Sequence, residues 1–89
     1  MDPFGSDAGL NESAMTIEVK CFASLDRFQP DEANAFPIES GETVGQVMAR
    51  MGIPPRSVAL IFINNVHAKT DAVLKDGDTV GFFPPIGGG

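Results

Sequence analysis

The stretch TVGQVMARMGIPPRSVALIFI, residues 43–63, contains a helix signal followed directly by a strand signal. Thr43 is a favourable N-cap, and Gln46 three residues later completes a capping box. Gly52 suits the left-handed position after a helix, and Pro54-Pro55 cannot continue it. Apolar residues recur at helical spacing on one face: Val44, Val47, Met48 and Met51. A helix of about nine residues is not stable alone, so it must pack against a sheet.

The apolar run from Val58 to Ile63 predicts a strand with apolar side chains on both faces. One set can pack on the helix, while the other needs cover or forms a docking surface. The cover could come from the connection at residues 23–34, and the sequence leaves both alternatives open. If Leu60 is in the buried set, Leu60→Ala should destabilise the chain by about 2–5 kcal/mol, and Val47→Ala should also be costly.

On the C-terminal side, Asn64-Asn65 predicts a tight turn into a short return strand over residues 66–69. Residues 70–77 form a predicted loop, in which Leu74 enters the core. A last strand is expected over residues 78–84, with Val80 and Phe82 facing inward and Phe83 facing outward.

On the N-terminal side, residues 16–22 alternate between polar and apolar, which predicts a half-buried strand. Its inward positions are Ile17, Val19 and Cys21. Residues 23–34 are expected to be an irregular connection that Leu25 and Phe28 anchor to the core. A short second strand is predicted over residues 35–40, at a sheet edge because it contains Pro37.

This order of elements predicts an α+β fold, in which one main helix packs on one face of a mixed sheet of four to five strands. Residues 1–14 lack periodicity and are expected to be a disordered N-terminal extension or an expression remnant. Residues 15–89 are then one domain, with a flexible glycine tail at residues 86–89.

Composition and charge narrow the classes of function. The net charge is −6, from six basic and twelve acidic residues, and no basic run is present, so nucleic acid is not the expected partner. The single cysteine excludes an internal disulfide. There is no secretory signal and no apolar run long enough to span a membrane, which predicts a cytoplasmic protein with no membrane partner.

The reactive side chains do not form a catalytic or metal-binding pattern. Cys21 falls on an inward strand position and is expected to be a structural thiol. His67 has neither a cysteine nor a second histidine at metal-ligand spacing. The terminal glycines precede no helix and no Lys-Ser/Thr pair, so they are not a phosphate-binding loop. The chain is therefore not expected to be an enzyme by itself.

The C-terminal sequence LKDGDTVGFFPPIGGG, residues 74–89, closely resembles the signature of ubiquitin-like sulfur carriers of the MoaD/ThiS type. These are the small subunit of molybdopterin synthase and the thiamine-biosynthesis sulfur carrier. The resemblance covers roughly residues 15–89 and implies a β-grasp (ubiquitin-like) fold. It differs from many molybdopterin-branch members at Gly87, where they often have alanine or a small polar residue.

The resemblance implies that Gly89 is the working residue. An adenylating (E1-like) enzyme would use ATP to activate its carboxylate, and sulfur from a persulfide enzyme would then give a thiocarboxylate. Gly87 and Gly88 would thread the tail through a narrow channel, since glycine has no Cβ. Partner contacts would be Phe83, Pro84, Pro85 and Ile86. The chain itself would bind no cofactor and no metal.

The resemblance implies as recipient a larger synthase subunit that makes molybdopterin for a molybdenum or tungsten cofactor. Carriers for thiamine, cysteine or tRNA thiolation share the same chemistry and remain alternatives. A protein modifier joined to lysines through Gly89 is an alternative of another class. A third possibility is an interaction module in which the tail is inert.

Overall fold

The computed structural model describes residues 15–85. The expectations for residues 1–14 and for the tail at residues 86–89 lie outside this range. The regular elements of the described part are β1 (Met15–Cys21), β2 (Phe36–Ile38), α1 (Val44–Met51), β3 (Leu60–Ile63), β4 (Val66–Ala68) and β5 (Thr79–Phe83). All six elements were predicted, with strand ends that differ by at most two residues.

Helix α1 begins and ends as its sequence predicts. The N–H of Gln46 donates to Thr43 Oγ1 over 3.3 Å, and the N–H of Thr43 donates to Gln46 Oε1 over 2.8 Å. These two bonds form the predicted capping box. At the other end, Gly52 has a φ of 81°, the left-handed conformation that glycine adopts without strain.

The sheet has the strand order β2-β1-β5-β3-β4. Strands β1 and β5 are parallel, and the other neighbours are antiparallel, so the sheet is mixed as predicted. Strand β2 lies at one edge, where Pro37 is tolerated because no neighbour requires its missing N–H. With α1 on one face, this is the predicted β-grasp arrangement.

The turn between β3 and β4 joins this hairpin to the start of β5. Asn64 and Asn65 both have positive φ, 52° and 70°, as a tight hairpin turn requires. The side chain of Asn64 accepts from the N–H of Thr79 and donates to Asp78 Oδ1, each over 2.9 Å. The sequence predicted the turn but not its contact with β5.

The core lies between α1 and one face of the sheet. Val44 and Val47 of the helix are fully buried against Ile17, Val19, Val80 and Phe82 of the central strands. Leu25 and Leu74 enter this core from the two long connections, as predicted. On β3, Ile61 is buried, whereas Leu60 is on the opposite face with 44% of its surface exposed. Leu60 is therefore not a core residue.

The connection at residues 23–34 contains a 3₁₀ helix at Ala23–Phe28 and also replaces a missing strand neighbour. Strand β2 pairs with β1 only at residues 15–17. Beyond that point, Gln29 Oε1 accepts from the N–H of Cys21 over 2.8 Å, and Gln29 Nε2 donates to the carbonyl of Val19 over 2.7 Å. The amide side chain thus satisfies both backbone groups that β2 does not reach.

A partly buried ion pair connects α1 to the loop before it. Glu42 is 9% exposed, and Arg50 donates from Nε to Glu42 Oε2 over 2.8 Å and from Nη2 to Oε1 over 3.1 Å. Burial alone would raise the pKa of the Glu42 carboxyl, but hydrogen bonds from Arg50 and from the Glu39 N–H, with the charge of Arg50, lower it overall. Arg50 also donates to the carbonyl of Pro37 over 2.6 Å, which fixes β2 to the helix.

Candidate functional site

Strand β5 carries the chain out of the middle of the sheet. It lies between β1 and β3, and its side chains alternate between the two faces. Phe82 is fully buried in the core, and Phe83 lies half-buried on the outer face, which is the face away from α1. The carbonyl of Phe83 accepts a hydrogen bond from the N–H of Ala59 over 2.8 Å. The predicted inward and outward positions of β5 are therefore confirmed.

Pro84 and Pro85 follow directly and end the strand. Neither residue has an N–H, so neither can donate to the β-ladder. Pro84 is half-buried and Pro85 is exposed, so the backbone moves from the sheet surface towards solvent over two residues. The fixed φ of proline restricts the direction in which the chain leaves. The described chain therefore leaves the sheet at Phe83 through these two prolines.

Three phenylalanines form what we call the outer aromatic surface: Phe22, Phe62 and Phe83. The rings of Phe22 and Phe83 are stacked, with centroids 4.3 Å apart and an interplanar angle of 7°. Phe62 meets Phe83 edge-on, with centroids 5.6 Å apart and an angle of 87°. Phe83 is thus fixed from two sides by aromatic contacts in favourable geometries.

Gly81 forms the floor beneath these rings. It is buried in β5, on the same face as Phe83. A Cβ at this position would lie 3.3 Å from Cε2 of Phe22 and 3.6 Å from Cε1 of Phe83. The glycine therefore allows the Phe22 ring to lie across β5, which is a recognised reason for glycine inside a strand.

The rings border a shallow cavity of about 290 Å³ with a polar rim. Lys20, Asn65 and Thr79 contribute to that rim. On the same face, the hydroxyl of Thr79 donates to Glu18 Oε1 over 3.4 Å. Leu60, with 44% of its surface exposed, pairs with Phe83 across the β3–β5 ladder and extends the apolar area. The result is an apolar area with polar edges, a pattern typical of protein-binding surfaces.

The apolar side chains of the connection at residues 23–34 pack on the α1 side of the sheet. Leu25 is only 2% exposed and is in the core, and Phe28 packs against that core. Phe22, just before this connection, keeps 38% of its surface exposed. The apolar anchors of this connection therefore lie at the core, and within residues 15–85 they do not cover the outer face.

Cys21 does not contribute a nucleophile to this surface. Its side chain faces the core and is 9% exposed. Burial, and to a smaller extent the negative charge of Asp26, raise the pKa of the Cys21 thiol to about 11. Very little thiolate is present near neutral pH, and the thiolate is the reactive form. Cys21 is thus a structural residue, as its strand position predicts.

His67 is exposed on β4, and its ring lies 5.8 Å from the ring of Phe62. Within residues 15–85, no group of three or more His, Cys, Asp or Glu side chains is placed to hold a metal ion. In the same part of the chain, no helix is both long and apolar enough to cross a membrane.

The structure brings together three of the predicted site residues, Phe83, Pro84 and Pro85, at the exit of β5. The other four, Ile86, Gly87, Gly88 and Gly89, lie outside the described residues.

Phe22, Phe62 and Gly81 belong to the same surface and were not predicted as site residues. Phe22 had a detectable signal, because polar residues fill positions 16, 18 and 20 and the alternation then breaks with a large aromatic side chain. Gly81 had a weaker one, a glycine within a strand pattern.

Comparisons with known proteins agree with this fold. The solution structure of the Haloferax volcanii HVO 2177 protein superimposes with a TM-score of 0.64 at 22% identity, covering 86% of this chain and 89% of that one. The crystal structure of SAMP1 from Haloferax volcanii gives a TM-score of 0.59 at 23% identity, covering 83% and 99%. That of H. volcanii small archaeal modifier protein 1 gives 0.61 at 20% identity, covering 81% and 99%.

A comparison with curated proteins gave no significant match. The sequence profile of the ThiS family, in contrast, matches residues 19–89. The match begins within β1, includes every later element and continues through the three terminal glycines. The five-stranded mixed sheet with one main helix is the ubiquitin-like β-grasp fold that the resemblance implied. The chain therefore belongs to the ThiS family.

Proposed function

We propose that this chain is a sulfur carrier whose Gly89 carboxylate is activated with ATP by an E1-like enzyme and converted to a thiocarboxylate. The observation that carries the proposal is the exit of β5. The central strand ends at Phe83, and Pro84-Pro85 lead away beside an apolar surface. The family match that continues to Gly89 supports the same reading.

The chemistry explains why activation is needed. A carboxylate is a poor electrophile with no good leaving group, so an activating enzyme first forms an acyl-adenylate and releases pyrophosphate. A persulfide sulfur then attacks the carbonyl carbon, and AMP leaves with the electron pair of the broken C–O bond. The resulting acyl disulfide is cleaved by a second thiol, which leaves the thiocarboxylate on Gly89 and a disulfide on the donor. The reacting groups other than the Gly89 carboxyl belong to the partners.

The part of the outer aromatic surface around Phe83 is the proposed docking surface for the activating enzyme. It lies directly beside the exit of β5, so a partner bound there is close to the start of the tail. Phe83, Pro84, Pro85 and Ile86 would contact this partner, while Gly87 and Gly88 pass through its channel. Rigid aromatic side chains are common anchors of protein interfaces because they bury much area at small entropy cost.

For the pathway that receives the sulfur we propose molybdopterin synthesis, with a larger synthase subunit as the acceptor protein. The resemblance of Phe82-Phe83-Pro84-Pro85 and the following residues to that family's signature favours it. Thiamine, cysteine and tRNA thiolation are alternatives with the same activation chemistry. Growth of a deletion strain separates them: loss of growth only on molybdate-dependent substrates supports the proposal, and rescue by thiamine or cysteine contradicts it.

Intact-mass analysis tests the carrier function directly. The chain is incubated with ATP, a sulfur donor and extract of its source cells. We expect a mass increase equal to the replacement of one oxygen by one sulfur, and no increase in a chain that lacks Gly89. An unchanged mass in an extract that modifies another sulfur carrier would contradict the proposal.

A protein modifier joined to lysines through Gly89 is the second candidate, since one structural neighbour is described as a small archaeal modifier protein. It would use the same acyl-adenylate with an amine as the final nucleophile. High-mass conjugates that disappear in Gly88→Ala would favour this candidate. If deleting Gly88 and Gly89 has no phenotype, the chain is instead an interaction module with an inert tail.

A further inference from the structure

The outer aromatic surface depends on a residue just beyond the end of β1. Phe22 follows β1, and its N–H donates to the carbonyl of Phe82 over 3.1 Å, which continues the parallel ladder by one step. This bond places Phe22 beside Phe83 on the outer face, where the two rings stack with centroids 4.3 Å apart. Phe22 remains 38% exposed, so it adds less to the core than to this contact.

Gly81 makes the stack possible. With a side chain there, the Cβ would approach Phe22 to 3.3 Å, and the ring would have to shift by a few tenths of an ångström. The neighbouring positions on this face of β5 are Thr79 and Phe83, which both have side chains. A glycine inside a strand lowers its stability. The Phe22 ring explains the glycine at position 81, because the ring lies against the place that a side chain would occupy.

We infer that Gly81 and Phe22 are positioning residues that hold Phe83 in the orientation in which the activating enzyme binds it. The inference rests on the proposed function. Phe83 is the last residue of β5, directly before Pro84-Pro85, so its ring is the aromatic contact nearest to the exit of the strand. A ring fixed before binding loses less conformational entropy when the partner docks.

The test is ATP–pyrophosphate exchange by the adenylating enzyme purified from the source cells, measured against the concentration of the full chain. For Gly81→Ala and Phe22→Ala we expect the KM for the chain to rise about 2- to 10-fold, the range that corresponds to loss of one aromatic stacking contact. The kcat should change little, because the acyl-transfer groups are unchanged. Phe22→Tyr retains the ring, so its KM should stay close to that of the wild-type chain.

A double-variant cycle tests the mechanism. If Gly81→Ala acts by displacing Phe22, it should raise the KM in the wild-type background and have no further effect on Phe22→Ala. Val73→Ala is the matched control, because Val73 is also apolar and is 54% exposed but lies outside the aromatic surface. Thermal unfolding of each variant confirms that the assays contain folded protein. Phe22→Leu, which retains apolar volume without a ring, replaces Phe22→Ala if that variant unfolds.

The outcomes separate this inference from the function on which it rests. A KM unchanged in Gly81→Ala, or effects of the two substitutions that simply add, overturns the positioning role while wild-type exchange still supports the carrier. No exchange with the wild-type chain, using an enzyme that activates another carrier, overturns both. A raised KM that Phe22→Tyr restores and that does not add in the double variant supports the positioning role.

Discussion

Arg50 binds both carboxylate oxygens of Glu42, with N–O distances of 2.8 and 3.1 Å. The two residues are eight positions apart, one in the loop before α1 and the other in its last turn. The same guanidinium lies 4.7 Å from the centre of the Phe36 ring and donates to the carbonyl of Pro37. One side chain thus holds the helix, its preceding loop and strand β2 together.

Because of this ion pair, the free energy of unfolding should change with pH in the acidic range. The pKa of Glu42 is lowered in the folded chain from its ordinary value of 4.5. The stabilisation is therefore complete above pH 4.5 and is lost as the pH falls through the lower folded-state pKa. We expect Glu42→Gln to lower the free energy of unfolding at pH 7 by about 1–2 kcal/mol, with the half-exposed Arg50 limiting the effect. Urea unfolding at a series of pH values from 7 to 3 measures both the loss in Glu42→Gln at pH 7 and the acid dependence of the wild type.

The matched control for this prediction is Glu32→Gln, at an exposed acid away from Arg50. It should leave the acid dependence of unfolding as in the wild type. An equal flattening of the pH dependence in both variants would show that general charge repulsion, not the Glu42–Arg50 pair, is responsible.

Two leucines should respond differently to truncation. Leu74 is 1% exposed and fills the core, so Leu74→Ala should reduce the free energy of unfolding by about 2–5 kcal/mol. Leu60 is 44% exposed on the outer face, so Leu60→Ala should cost at most about 1 kcal/mol. Denaturant unfolding of the two variants checks the assignment of faces. A large loss of unfolding free energy in Leu60→Ala, with little loss in Leu74→Ala, would contradict this assignment of faces.

Gln29 should stabilise the part of β1 that does not pair with β2, at Val19 and Cys21. Gln29→Ala leaves the N–H of Cys21 and the carbonyl of Val19 without their amide partner, at an expected cost of about 1–2 kcal/mol. Gln29→Glu keeps an acceptor for Cys21 but places an oxygen against the Val19 carbonyl, so it should not restore stability. Faster hydrogen exchange at the Cys21 amide in Gln29→Ala is the local measurement. Unchanged exchange would contradict the role.

Cys21 should remain unreactive in the folded chain. Its thiol is buried with a pKa of about 11, so labelling by iodoacetamide at neutral pH should be slow and should become fast on unfolding in urea. Cys21→Ala should still take up sulfur in the intact-mass assay, because the proposed acceptor is Gly89. Loss of uptake in a folded Cys21→Ala chain would instead make the thiol part of the transfer.

The tail should matter for sulfur transfer and not for stability. Residues 15–85 form a continuous apolar core, and a glycine has no side chain to add to it. Deleting Gly88 and Gly89 should therefore leave the thermal midpoint unchanged while it abolishes sulfur uptake. A substantial fall in the midpoint would give the tail a structural role.

Local features of this fold could be predicted from the sequence because neighbouring residues determine them. The capping box of Thr43 and Gln46, the alternation of β1 and the turn at Asn64-Asn65 each depend on interactions within a few positions. The inward position of Leu74 followed from an apolar residue in a polar loop. The confirmed edge position of Pro37 followed from its missing N–H.

The contacts between distant residues could not be predicted in this way. Nothing in the pattern of β3 determines which face meets the helix, because both are apolar, and this is why Leu60 was a core candidate. The stack of Phe22 on Phe83 requires the parallel pairing of β1 and β5, which joins residues about sixty positions apart. The hydrogen bonds of Gln29 depend on where β2 ends, and β2 is only three residues long.

The parallel arrangement of β1 and β5 also determines how the chain bears mechanical load. Met15 lies at the start of β1 and Phe83 at the end of β5, at opposite ends of one ladder. A force that pulls these two ends apart slides the strands along each other. It therefore loads the hydrogen bonds between residues 18–21 and 79–82 together, instead of opening them one at a time. A partner that pulls at Phe83 while the Met15 end is held therefore meets the resistance of this whole ladder.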